Sequence, residues 1–546
     1  MISTLAWRFG KGTSVWVGLT IAGIVATASA ALFLGADANW DLKNYHLYGP
    51  YSVWAGRHSI DHHPAGIQGY LNPTLDLLST YPLLRLGNLS GMSLALGGLQ
   101  GLSFVLLVAI AWHLLRGFPE LRDRERMLLA GLSALLGMTG AMVISEIGTT
   151  FGDLTTALLV LSALLCYLYS LECRTSPNLR LIAVSGLAVG VATGLKLTNA
   201  VFLVALFVSA LVFSGGPRKR SILALSVAAG SGILLSHGWW SWRLWEMFGN
   251  PVFPFFNNVF RSPYYSFAAF ADERFMPWSL KQAIVYPFYF SWNAQTAEVP
   301  FRDFRFPVAY IMGALLVGRL LSEKHGDNDL AKVAARRAAV HLGTFIALSY
   351  ILWLSRFSVQ RYAVAIELLL PVFILIAFLL VFPRYGRFLF VAAAMLLYIS
   401  TTPANWARLH FNAVREPIVA ESVRSDLRSM LQGGAVVLGP APLAYLPASL
   451  RESDVAWFGE ALSRADAENL ARKLSRYNKV FAISHATESD VAYTDMRARN
   501  LGLRGIDKAA CREFETAFDD RLLLCPVRLG STKSRHGFGA LGDMTK

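Results

Sequence analysis

Polar and apolar residues come in blocks along most of this chain. Apolar runs near the ~20 residues that carry a helix across a bilayer recur from the start to about residue 402. They fall at 15–36, 90–115, 127–145, 154–172, 181–196, 199–214, 221–240, 305–322, 338–354, 362–382 and 388–402, which predicts about eleven spanning helices. The segment 70–86 holds Asn72, Pro73, Asp76 and Pro82, is too polar to span, and reads as an interfacial helix along the membrane. Two longer polar stretches, 37–89 and 241–304, interrupt the runs, and a third follows residue 402.

After residue 402 the apolar runs shorten to strand length: Ala435-Val436-Val437-Leu438, Val480-Phe481-Ala482-Ile483 and Leu522-Leu523-Leu524. A charged stretch of helical periodicity, 460–477, lies between them. Strands alternating with helices predict a small α/β unit. Residues 530–546 are rich in Gly, Ser and Lys, a composition expected to be disordered. The expected fold is therefore an α-helical polytopic membrane protein, with a transmembrane domain over 1–402, a soluble α/β domain over 403–529 and a disordered tail.

Composition agrees. Hydrophobic residues make up 54% of the chain, charged residues 16%, and mean hydropathy is +0.43, outside the soluble range. The net charge of +14 is parcelled between spans. Arg8 and Lys11, Arg116 to Arg126, Arg174 and Arg180, Arg218-Lys219-Arg220, Lys332 to Arg337, and Arg384 with Arg387 occupy short turns on one side. That side is the cytoplasm by the positive-inside rule. The charge is a topological signal, not a nucleic-acid surface. The N-terminus is then cytoplasmic, and 37–89, 241–304 and the C-terminal domain face outward, into the periplasm of a bacterial inner membrane. The first span is too long, and too poorly followed by small residues, for a cleaved signal peptide, so it reads as a retained anchor.

The outward parts hold the chemistry. Loop 37–89 carries Asp37, Asp41, Asp61 and Asp76 with His46, His58, His62 and His63. The outward turn between the third and fourth spans holds Glu146 and Asp153 among Gly148, Thr149, Thr150 and Gly152. Asp37, Asp61 and Asp76 read as ordinary loop acids in water, whereas the neighbours of Asp41 point to function. The histidine spacing fixes no tetrahedral metal site. Cys166 and Cys173 share a helix and pack there, while Cys511 and Cys525 lie in the outward tail, where oxidation would let them pair. Two cysteines alone do not fix that geometry, and the disulfide stays open.

Asp41 just outside the first span, with Tyr45 and His46 one turn on, resembles the signature of GT-C membrane glycosyltransferases. The wider run Trp40 to His46, then Gly56-Arg57 and Tyr70-Leu71-Asn72-Pro73, resembles a bacterial branch close to glycosyltransferase family 87. Gly194-Leu195-Lys196, Gly249-Asn250-Pro251-Val252-Phe253-Pro254 and Arg361-Tyr362 add weaker pieces of the same likeness, which spans roughly residues 15–400 and leaves the tail uncovered. The resemblance implies transfer of a sugar from a polyprenyl-phosphate carrier to a glycan, lipid or protein acceptor at the outer face. It implies that Asp41 is the catalytic carboxylate and that a second acid is Glu146 or Asp153. Some family members need a divalent metal and others do not; no required cofactor is expected here.

The physical logic runs the same way. A sugar phosphodiester already carries a good leaving group, so the enzyme needs a base for the acceptor hydroxyl and positive charge for the departing phosphate. Lys196, Arg243, Arg356 and Arg361 stand at outer ends of spans, where a cation either reaches a lipid phosphate without entering hydrocarbon or only snorkels to the interface; Lys196, amid apolar neighbours, points most to the phosphate. Aromatics crowd 239–292 and suit either a membrane interface or a cover for the donor. No Gly-rich phosphate loop follows a strand in the membrane portion, which argues against nucleotide-driven chemistry. The rival classes are a transporter or flippase and a non-catalytic polysaccharide assembly factor. Transporters place ionisable groups near the midplane and often show paired repeats with broken helices, whereas here the charges cluster at the outer ends of helices and no repeat is visible.

The topology has a direct check. A cysteine introduced as Lys219→Cys is expected to react with a membrane-impermeant maleimide only in opened cells, and Ser279→Cys in intact spheroplasts, each measured against the parent chain.

Overall fold

The computed structural model describes residues 13–529 apart from 87, 172–176, 214–217, 269–271, 323–329, 411–416, 452–453 and 519. Cys173 and the tail 530–546 lie outside the described residues. The chain divides into two compact units. One comprises residues 1–33, 93–239 and 271–406, the other 34–92, 240–270 and 407–546.

The first unit is helical. Among the described residues seven helices are long and apolar enough to cross a membrane, and three shorter apolar helices lie at Leu179–Leu195, Leu197–Val212 and Gly386–Ser400. Every predicted span falls on helix. The helix over Gln360–Val381 is apolar all round and 83% of its apolar window is buried, so it forms the centre. Thr13–Leu34 is also strongly apolar but only 17% buried, with Val17, Ile21, Val25 and Phe33 exposed. An apolar helix bare on most of its surface suits lipid and not water.

Small residues decide one close contact. Gly186, Gly190 and Gly194 recur every four residues on Leu179–Leu195, facing the helix Arg218–Phe248. A Cβ at Gly186 would lie 2.5 Å from the Leu225 carbonyl oxygen, so a larger side chain would push the helices apart.

The third predicted span, 127–145, is not one helix. It breaks at Thr139-Gly140 into Asp123–Met138 and Ala141–Glu146. The break exposes backbone N–H groups that a membrane interior cannot satisfy. Carboxylates from elsewhere in the unit take them. Ala141 N donates to Asp303 Oδ2 at 3.0 Å, and Met142 N and Val143 N donate to Glu367 Oε1 at 3.0 and 3.2 Å. Arg305 binds Asp303 at 2.8 Å and the Leu136 and Thr139 carbonyls at 2.9 and 2.8 Å, closing the end of the preceding helix. All three charged side chains are fully buried.

The second unit holds the predicted α/β sheet. Its strand order is Ala456–Phe458, Ala435–Leu438, Val480–His485, Arg521–Arg528, Gly505–Ile506, with Arg512–Glu515 also pairing Arg521–Arg528. The first three strands are parallel and Arg521–Arg528 is antiparallel to its neighbours. The helix predicted over 460–477 is Arg464–Leu474, whose Leu470 and Leu474 pack on Val437 and Phe458. The sheet and its helices share their compact unit with 34–92 and 240–270. Ala36–Asp37 pairs with Arg408–Leu409, and His62 N donates to the Trp457 carbonyl at 2.8 Å. The stretch 70–86, expected as one interfacial helix, is instead Thr74–Leu78 and Thr80–Leu86, separated at Ser79.

Cys511 and Cys525 are joined by a disulfide across the final hairpin, their Cα atoms 4.1 Å apart. Changing both to serine is expected to cost about 2–4 kcal/mol of stability. The readout is a lower midpoint of thermal unfolding, a difference that vanishes when the parent chain is fully reduced.

Candidate functional site

The residues singled out from sequence fall into two clusters, one in each unit. The cluster around Asp41 begins with a capping network. Asn39 donates from its backbone N and its Nδ2 to Asp37 Oδ1 at 3.0 and 2.7 Å, and its own Oδ1 accepts from Leu42 N at 2.7 Å. Asp37 is fully buried, so this network replaces the water that its carboxylate was expected to have. The chain then turns as a π-helix, Leu42–His46, with Asp41 at its start. Such helices are rare and recur at functional sites. Their i→i+5 winding brings Asp41, Tyr45 and His46 to one face.

The side chains bear this out. Tyr45 Oη donates to Asp41 Oδ2 at 3.0 Å, and the Tyr45 and His46 rings lie 4.2 Å apart. His46 Nδ1 is 2.7 Å from Asp76 Oδ2, and Thr80 Oγ1 donates to Asp76 Oδ1 at 2.8 Å. Asp41 is 7% exposed and Asp76 5%. Asp76 is thus no loop acid in water; it holds the imidazole ring against Tyr45. Asp61 is likewise buried, in an ion pair with Arg57 and accepting from Trp457 N at 3.1 Å.

The neighbouring histidines are occupied by structure. His63 lies between Tyr70 Oη at 2.5 Å and Asp466 at 3.1 Å. Burial acts to raise the Asp466 pKa, but the hydrogen bond and charge of His63 hold it below the ordinary carboxylate value. Burial, with the Lys473 ammonium 3.1 Å away, pushes His62 down to about 3. Burial, with the Arg243 charge, pushes His58 down to about 4. Among the described residues no three His, Cys, Asp or Glu side chains converge as a metal-ligand set.

In the first unit the structure brings Glu146, Asp153, Lys196 and Arg361 together. Gly152 takes φ +84°, the left-handed turn that starts the helix Asp153–Ser170 and leaves Asp153 in its first turn. Lys196 Nζ lies 2.5 Å from Asp153 Oδ2 and donates to the Phe151 carbonyl at 2.8 Å. It also sits 5.2 Å from the Tyr362 ring centre. The Arg361 guanidinium stacks over Phe151 at 4.7 Å and Tyr362 at 5.3 Å. Glu146 ends the short helix Ala141–Glu146, is fully buried, and accepts from Leu154 N through Oε2 at 2.8 Å. Its Oε1 has no hydrogen-bond partner among the described residues. Both acids that the sequence left as alternatives therefore belong to this cluster.

Two predicted cations stand apart. Arg243 is in the second unit, 66% exposed, and pairs with Glu246 at 3.6 Å. Arg356 is exposed at the end of Leu330–Arg356. Sequence reasoning missed Asp303, Arg305 and Glu367. The signal was present: Glu367 is an ionisable residue inside the apolar run 362–382, a placement that demands a partner.

No protein-family model and no curated protein matches the chain, so the narrower likeness to family 87 finds no counterpart. Solved structures do match. The apo structure of ArnT from Cupriavidus metallidurans aligns over 94% of this chain and 98% of its own, at TM-score 0.51 and 13% identity. The same ArnT bound to undecaprenyl phosphate aligns over the same shares at 0.49 and 14%. The Archaeoglobus fulgidus oligosaccharyltransferase in complex with Zn and sulfate aligns over 90% of this chain and 72% of its own, at 0.46 and 11%. At such identities the likeness to apo ArnT is one of fold: this chain is a multi-pass membrane protein that shares the fold of that structure.

The depressed histidines give a pH dependence with a definite sign. His58 and His62 are neutral when folded and would bind protons near pH 6.5 when unfolded, so the unfolded state holds more protons between pH 6.5 and their folded values. Their contribution to stability is complete above pH 6.5 and is lost as pH falls towards about 3 to 4. Thermal midpoints measured across that window should fall with pH, and His62→Gln should flatten the slope.

Proposed function

We propose that this protein is a glycosyltransferase that moves a sugar from a polyprenyl-phosphate donor to a hydroxyl-bearing acceptor of the cell envelope, at the outer face of the inner membrane. The observation that carries the reading is the π-helical turn, which puts a buried carboxylate, a tyrosine hydroxyl bonded to it and a carboxylate-held imidazole on one face. Asp41 is the general base. It takes the proton of the acceptor hydroxyl as that oxygen attacks the anomeric carbon and the bond to the phosphate oxygen breaks. A single displacement of this kind inverts the anomeric centre.

Tyr45 fixes the carboxylate by its hydrogen bond, and His46, held by Asp76, supports the Tyr45 ring. Lys196 and Arg361 are assigned to the phosphate, with Asp153 orienting Lys196 through the 2.5 Å contact. As the bond to the sugar breaks, the phosphodiester monoanion becomes a phosphate monoester that gains a second negative charge, and charge-assisted hydrogen bonds from both cations strengthen as that charge develops. Glu146 is assigned to a donor hydroxyl, through the oxygen that lacks a partner. The fold shared with apo ArnT supports the class, and crystallisation of ArnT with undecaprenyl phosphate is consistent with the donor. The buried ionisable residues Asp303, Arg305 and Glu367 are used in capping the two ends of the broken helix, which gives them a structural role in place of a transport one.

The test is sugar transfer by purified protein in lipid, with a panel of radiolabelled polyprenyl-phosphate sugars and membrane extract as acceptor. Asp41→Asn is expected to lower transfer by about 10²–10⁴ while the protein stays folded, the range typical for loss of a general base. Equal transfer by both would remove Asp41 from the mechanism. No transfer with any donor would return weight to a transporter or an assembly factor.

A further inference from the structure

We propose that the disulfide-bonded C-terminal hairpin is a positioning element for the loop that carries Asp41, acting through the ion pair of Lys43 with Asp520. The proposal rests on the reading of Asp41 as the base, and it gives a function to the part of the chain that no motif covers.

Lys43 stands two residues after Asp41, inside the π-helix. Its Nζ lies 3.2 and 3.4 Å from the two carboxylate oxygens of Asp520, a residue 477 positions further along. The side chains are 16% and 13% exposed, so the pair is screened far less than one at an open surface. Its acidic partner is itself fixed. Tyr445 is fully buried and donates its hydroxyl to Asp520 Oδ2 at 3.0 Å, within 3.3 Å of Thr516 Oγ1. The Tyr445 ring packs edge-on against Phe518 at 5.1 Å, and Lys43 Nζ lies 5.9 Å from that same Phe518 ring.

The turn that presents these residues closes the hairpin Arg512–Glu515 with Arg521–Arg528, joined at its far end by Cys511–Cys525. Ala517 N also donates to the Ile418 carbonyl at 2.8 Å. A wider i→i+5 turn has little intrinsic stability and persists where outside contacts hold it. Lys43 supplies such a contact, and Asp520 is the fixed point it ties to. Neither residue is required to touch substrate; both set where Asp41 stands.

The test uses the full chain in phosphatidylcholine nanodiscs, with hydrogen exchange across residues 39–48 and transfer kinetics as two separate readouts. Asp520→Asn and Lys43→Asp are each expected to speed exchange in 39–48 by about tenfold, and to lower kcat by a similar factor with little change in donor KM. The reversed pair, Lys43→Asp with Asp520→Lys, should restore both to within about threefold. Tyr445→Phe, which removes one hydroxyl and keeps the packing, should shift both readouts in the same direction by less. Unchanged exchange in Asp520→Asn overturns the proposal. So does failure of the reversed pair to recover, since a lysine that binds substrate directly cannot be replaced from the other side. If the parent chain transfers no sugar, the exchange data still decide the clamp, and the failure belongs to the proposed activity.

Discussion

A helix cannot end inside hydrocarbon unless its backbone N–H groups find acceptors in the protein. That constraint governs the membrane unit. The interruption at Thr139-Gly140 frees the N–H groups of Ala141, Met142 and Val143, and the protein answers with Asp303 and Glu367 while Arg305 takes the carbonyls on the other side. Burying charge is costly unless it is paired and hydrogen-bonded, and Asp303 and Arg305 meet that need in each other, while Glu367 is held by the two backbone N–H groups that donate to it. Here the arrangement yields a short helix whose last residue is Glu146, beside the turn that starts at Asp153. A broken span is thus how the chain delivers two acids, a lysine and an arginine to one place.

The unit outside the spans solves a different problem by similar means. A carboxylate expected to act as a base has to be held still. Asp41 receives the Tyr45 hydroxyl, and the nearby cation Lys43 is paired with Asp520. Asp76 holds His46 in the same manner. The acids that first look like loop decoration are the frame around the one that matters.

Much of this was legible before the structure. The apolar blocks fell on the helices of the membrane unit, seven of them among the described residues long and apolar enough to span, because lipid requires long apolar runs and little else mimics them. The strands at 435–438, 480–483 and 522–524 were readable because they are buried and flanked by polar turns. The sequence could not show the break at Thr139-Gly140, since the residues on either side remain apolar and the stabilising carboxylates come from more than 160 residues away. Nor could it show that Asp37, Asp61 and Asp76 are buried, because beside the local partners Asn39, Arg57 and Thr80 the contacts that enclose them, such as Trp457 N on Asp61 and His46 on Asp76, are set by tertiary folding. Asp41, Tyr45 and His46 were recognisable as a local pattern; Lys43 was overlooked because its partner lies 477 residues on.

That separation bears on how the protein is made. The strand at Ala36–Asp37 finds its mate at Arg408–Leu409, and the loop that follows is anchored to Trp457 and Asp520. Ribosomes deliver these partners last. The loop carrying Asp41 is made early in synthesis but cannot assume its final shape until Arg408–Leu409, Trp457 and Asp520 have been made and folded. The order of translation thus keeps the loop unfinished in a nascent or truncated chain, and a half-built copy in the membrane would be inert.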